Sequence, residues 1–137
     1  MIDFENETKY DIGEDIFEDI FVAVADKKDI ELIIVTDERI TELNKEHRGK
    51  EKATDVLSFP IKHSKTNFLG SVIISADTAD AVAKELGHGL EEEMRILFIH
   101  GLLHIMGYDH ETDNGQMRHK EGEIIEMFNL PSSLSGR

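Results

Sequence analysis

The chain has 137 residues, 39% of them apolar and 32% charged, a balance that fits one globular domain built round one core. It has no cysteine, which excludes disulfides and thiolate metal sites, so any bound ion must be held by nitrogen and oxygen. Its net charge of −14, from 29 acids against 15 bases, disfavours broad electrostatic binding to nucleic acid, where phosphate contacts need Lys and Arg.

The acidic N-terminus, MIDFENETKYDIGED, has no apolar signal-peptide region, and the longest apolar run, Ile96 to Met106, is too short to cross a bilayer. A cytoplasmic protein without a membrane partner is expected. Met1–Phe4 reads as a short edge strand. Asp11–Ala25 reads as an amphipathic helix with Ile12, Ile16, Ile20 (or Phe17) and Val24 on one side. Asp29–Val35 is β-branched and predicts a strand. Asp37 can cap a helix running to about His47, with Ile40 and Leu43 inward. A polar loop follows over residues 48–55. Val56–Phe59 is a short strand ended by Pro60, then comes a basic connection over 61–67 and a strand over Phe68–Ser75. Asp77–Leu86 is an Ala-rich helix stopped by Gly87. Leu90–Met106 is the long central helix, opened by three glutamates that suit the positive end of its dipole. Residues 107–113 turn, Asn114–Phe128 closes the fold as a helix, and the tail from Pro131 is expected to be loose. The sum is a single α/β (α+β) domain over residues 1–137, with about four strands in a small mixed sheet and about five helices.

The chemistry concentrates in HGLLHIMGYDH. His100 and His104 stand four apart, so both point to one side of the helix. Gly107 is a natural terminator after which the chain can swing His110 back to the same point. Three imidazoles converging on one ion leave a coordination place open for chemistry. The helix is apolar nearly all round and should be buried, and buried imidazoles need partners. Two duller arrangements remain open: core histidines bonded to backbone carbonyls, or a closed structural zinc site with Asp109 or His119 as fourth ligand.

Gly101 stands where zinc peptidases of the H-E-x-x-H type carry their general-base glutamate, which disfavours a peptidase. It serves either close packing of helix on strand or close approach of a substrate. Asp109 is either a second partner for a metal-binding histidine or simply a turn-forming residue. His47, His63, His88 and His119 lack the paired spacing and are expected at the surface.

Charge is unevenly spread. Residues 1–44 carry 14 acids and 4 bases, whereas residues 45–65 carry six bases (Lys45, Arg48, Lys50, Lys52, Lys62, Lys65) against three acids. This positive segment is either a solvated loop or a guide for a polyanion. It contains LNKEHRGKEKATDVLSFP, which is followed by LGSVIIS and then HGLLHIMGYDH. In that order the three stretches closely resemble the YbeY family, the bacterial endoribonucleases of ribosomal RNA maturation.

The resemblance implies a small mixed sheet with helices, and one zinc ion per chain held by His100, His104 and His110. Nickel or another divalent metal would also suit imidazole ligands. It matches the family's essential arginine to Arg48, so Arg48 and His100 are the residues expected to carry catalysis. A guanidinium can clamp two oxygens of a phosphodiester as charge develops on it. Thr54 and Ser58 are expected to touch substrate. The implied activity is a single-strand-specific, metal-dependent endoribonuclease of small-subunit ribosomal RNA 3′-end maturation and ribosome quality control. Its implied partners are single-stranded RNA, ribosomal RNA, and the small ribosomal subunit or assembly factors. The rivals are a zinc peptidase-like metallohydrolase and a non-enzymatic ribosome-assembly factor with a structural ion. One departure stands out: Ser71 occupies a place where the family often has Asp.

Overall fold

The computed structural model of the chain describes residues 1–61, 66–109, 112–132 and 134. Its centre is a four-stranded sheet ordered β1-β2-β4-β3, made by β1 (Ile2–Asn6), β2 (Asp29–Val35), β3 (Val56–Pro60) and β4 (Phe68–Ser75). The first three strands in that order run parallel, and β3 pairs antiparallel on the β4 edge. Both central strands are covered on their two faces, which is why their sequences are nearly continuous apolar runs. Ile30, Leu32, Ile34, Val72 and Ile74 join the main core, whereas Val35, Ile73 and Leu57 join a smaller cluster on the other side.

The helices divide between those two faces. The smaller cluster is closed by Ile40 and Leu43 of α2 (Asp37–Arg48). The main core is closed by α1 (Asp15–Ala25), α4 (Leu90–Ile105) and α5 (Gln116–Met127), with help from α3 (Ala76–Leu86). Helix α4 is the pivot, packing against β3, β4, α1, α3 and α5. From Ile96 to Leu103 every residue of it is buried, which is what its lack of a polar face requires.

The elements follow the expected order, with instructive differences at their ends. Helix α1 starts four residues later than its apolar pattern predicts. The Asn6 amide donates to the carbonyls of Tyr10 (2.8 Å) and Ile12 (3.1 Å), which holds that stretch in a turn. The side of α1 that is buried carries Phe17, Ile20, Phe21 and Ala25, leaving Ile16 and Val24 only half-buried. The cap of α2 is Thr36, whose hydroxyl accepts from the Arg39 N–H at 3.2 Å, and not Asp37. The Asp37 carboxylate instead accepts from the Ser75 and Thr78 hydroxyls, tying the start of α2 to the start of α3. Helix α5 starts at Gln116 because the Asp113 carboxylate accepts from the N–H groups of Gly115 and Met117. The tail is not wholly loose: Leu134 packs against the main core. No helix among the described residues is long and apolar enough to cross a membrane.

Candidate active site

His100 and His104 lie on the last two turns of α4, with ring centroids 4.8 Å apart and planes at 73°. The His100 side chain is 9% exposed, and its Nδ1 lies 3.1 Å from Oε1 of Glu121 on α5, a carboxylate with no exposure at all. The same Oε1 accepts the Leu134 N–H at 3.2 Å. A carboxylate accepts and cannot give, so Glu121 offers the Nδ1–H of His100 an acceptor. Both histidines face a cleft of about 850 Å³ whose other walls include Arg48, Asp55, Ser58, Tyr108 and Asp109. His110, the third expected ligand, lies outside the described residues, as do Lys62, His63 and Lys65 of the basic segment.

Gly101 explains how two histidines reach the sheet. A Cβ on it would stand 2.6 Å from Val72 Cγ1 and 3.2 Å from Val56 Cγ2. Its role is therefore close packing of helix on strands, the first of the two readings weighed from sequence. The Gly101 carbonyl also accepts the Ser58 hydroxyl at 3.3 Å. A peptidase glutamate has no room at this position.

Arg48 is the last residue of α2, an exposed side chain that lines the same cleft. Its direction is set by what stops the helix. Gly49 takes the left-handed conformation (φ 70°) and its N–H donates to the Lys45 carbonyl at 3.0 Å. One turn before Arg48, buried Asn44 donates its amide to the Lys52 carbonyl at 3.0 Å. The loop is thereby folded back under the helix end, leaving Arg48 at the rim. Asn44 is a contributor that sequence reading passed over, although it stands four residues before Arg48 on the same side of the helix.

Asp55 is a second omission. It lines the cleft at the start of β3, its carboxylate accepts the Val56 N–H at 2.8 Å, and its carbonyl accepts the Ser75 N–H at 2.9 Å. Burial pushes the Asp55 carboxyl above the ordinary carboxylate range, opposed by backbone N–H bonds and by nearby His100, and reinforced by Glu93. Ser58 faces the cleft as expected, whereas half-buried Thr54 is not among the described residues lining it. Asp109 lines the cleft and shapes the turn, its carbonyl accepting from Thr112 and Asp113. The carboxylate on His100 is Glu121, which sequence reading missed. The signal was present: Met117, Glu121, Ile124 and Ile125 form the buried stripe of α5, so an acid sits where an apolar residue belongs.

Of the other described histidines, one departs from expectation. His88 is not at the surface. Its side chain is 7% exposed and its Nε2 lies 2.7 Å from Oε1 of fully buried Glu93. His119 is exposed beside Glu123 and does not line the cleft, so it makes no fourth ligand. His47 is exposed and meets the Phe59 ring edge-on at 5.0 Å. Ser71 faces away from the cleft side of the sheet. Its neighbour Val72 meets Gly101, while the Ser71 hydroxyl donates to Glu31 at 2.8 Å. The family's frequent Asp at this place would therefore project away from α4.

Comparison with known proteins agrees with the geometry. A profile of the family described as Endoribonuclease YbeY matches residues 3–129. The Endoribonuclease YbeY of Nautilia profundicola is 57% identical over 134 residues, covering 98% of this chain and 96% of that protein. That of Helicobacter pylori is 48% identical over 137 residues, covering 100% and 98%. The solution structure of a Thermotoga maritima protein superposes with a TM-score of 0.66 at 29% identity, covering 92% of this chain and 87% of the other.

Proposed function

The chain belongs to the YbeY family of endoribonucleases, and on that premise we propose that it cleaves single-stranded RNA with the help of a divalent metal, acting in the cytoplasm on the 3′ end of small-subunit ribosomal RNA and in ribosome quality control. The observation that carries this reading is one cleft lined together by Arg48, His100 and His104. Its partners are then ribosomal RNA, the small subunit and assembly factors.

The donor set fits zinc. His100 and His104 are adjacent imidazoles, and His100 has a carboxylate at its Nδ1, the kind of outer partner that metal-binding histidines keep. They would hold the ion together with His110. Zinc, when bound, supplies Lewis-acid chemistry at a phosphoryl oxygen and eases deprotonation of water. Arg48 supplies the complementary charge in the same cleft, with paired N–H donors for two non-bridging oxygens of the scissile phosphate. Ser58 offers a hydroxyl at the cleft floor. Lys45, Lys50 and Lys52 are exposed beside Arg48 and draw a strand in, while the acidic body repels bulk nucleic acid. A single strand suits such a cleft because its backbone can bend towards the histidines.

The test compares zinc content and cleavage of single-stranded RNA for wild type, His104→Ala and Arg48→Ala. His104→Ala should lose both. Arg48→Ala should keep zinc and lose cleavage by about 100-fold or more. An Arg48→Ala protein that cleaves normally would remove Arg48 from the mechanism, and a His104→Ala protein that keeps its zinc would remove the metal site. Product ends identify the nucleophile: a 2′,3′-cyclic phosphate means attack by the ribose hydroxyl and excludes direct hydrolysis.

A further inference from the structure

The geometry points to Glu121 as a positioning residue that fixes the His100 ring and its tautomer before any cation arrives, an inference that rests on the metal-site reading above. The case starts from cost. A carboxylate with no exposed surface is expensive to bury, and α5 places it in an otherwise apolar stripe. Two donors converge on its Oε1, the His100 ring at 3.1 Å and the Leu134 N–H at 3.2 Å. The second comes from the segment beyond α5, whose Leu134 side chain packs on the main core and also lines the cleft. The carboxylate is thus clamped between a helix pair and a closing segment, and a clamped acceptor has one orientation to offer.

That orientation selects between the two ring nitrogens. With Nδ1–H donated to Glu121, a neutral ring presents Nε2 as its acceptor nitrogen, and the ring centroid stands 4.8 Å from that of His104. A neighbouring anion also makes that imidazole a stronger electron donor. Glu121 lies on a different helix from both histidines, so it anchors the ring from outside α4. Asp109, the carboxylate next in sequence to the histidine motif, does not occupy this place.

The experiment uses the full chain, metal-free and then titrated with Zn²⁺, as wild type, Glu121→Gln and Glu121→Leu. In metal-free wild type, ¹⁵N shifts of the His100 ring should show the proton on Nδ1. Glu121→Gln keeps a carbonyl acceptor and should keep that tautomer. Glu121→Leu should lose it. Zn²⁺ affinity, read by competition with a chromogenic chelator, should fall about 10–100-fold in Glu121→Leu, with Glu121→Gln in between. A wild type with its proton on Nε2 would overturn the inference, and so would a folded Glu121→Leu binding Zn²⁺ as wild type does. Should Glu121→Leu not fold, the wild-type tautomer and the Glu121→Gln affinity decide. His104→Ala separates the two levels: its full retention of Zn²⁺ affinity would sink the metal site itself, whereas a Glu121 result alone would sink only the positioning role.

Discussion

Two buried histidine–carboxylate pairs sit at opposite ends of α4. His88 meets Glu93 at 2.7 Å and His100 meets Glu121 at 3.1 Å, with all four side chains below 10% exposure. They differ in which nitrogen is used. His88 meets its acid through Nε2, the tip of its ring, whereas His100 meets its acid through Nδ1 and lines the cleft. His88 also has no second histidine one turn away and does not line the cleft. A buried imidazole beside an acid is therefore not in itself a functional site. What distinguishes the two ends is which ring nitrogen the acid holds and whether the histidine lines the cleft.

The strongest way to break this comparison is to exchange the losses. His104→Ala should lower Zn²⁺ affinity by about 100-fold or more while the protein stays folded, since an imidazole is removed at a cleft wall. His88→Ala should leave Zn²⁺ affinity alone and cost about 3 kcal/mol in urea denaturation, because Glu93 is left buried without its imidazole. Equal loss of zinc in both proteins would erase the distinction. Next in size is Gly101→Ala. Its Cβ meets Val72 at 2.6 Å, so α4 must lift or Val72 must turn, and a loss of about 1–3 kcal/mol in stability with reduced cleavage is expected.

Asp55→Asn probes the electrostatics between the two pairs. The folded Asp55 carboxyl titrates above its unfolded value. Wild type is therefore favoured below the carboxylate range and loses that advantage as pH rises through the folded value. In chelator-treated protein, the Asn variant should gain stability over wild type at neutral pH and lose that gain in acid. Denaturation midpoints at the two conditions check the sign. The smallest effect should come from Ser71→Asp. It places a second acid beside Glu31, costing up to about 1 kcal/mol in stability. It should leave RNA cleavage unchanged, since the side chain points away from α4.

The sequence made legible whatever depends on local pattern. The strands Asp29–Val35 and Phe68–Ser75 match their predicted bounds because both are dominated by apolar, largely β-branched residues, as doubly covered strands must be. The spacing of His100 and His104 likewise needed only helical geometry. Glu121 and His88 stayed hidden because their partners depend on tertiary placement. Local pattern offers Asp109, next to His110, either as a histidine's partner or as a turn residue, whereas the acid that reaches His100 is 21 residues away, brought there by the packing of α5 on α4. His88 was assigned to the surface because only four-residue spacings were sought, and its acid lies five residues on, across the helix start. Gly101 could be narrowed to two roles from sequence, and only the positions of Val56 and Val72 chose between them.

That glycine has a mechanical consequence. With one hydrogen in place of a side chain, it seats the histidine-bearing turn directly on two strands, so the sheet braces this part of the cleft. Arg48, by contrast, is carried at the end of a glycine-stopped helix, beside a loop of exposed lysines. Attempts to retune substrate range by directed evolution should accordingly spend their diversity on residues 49–55 and leave the stretch 96–104 untouched.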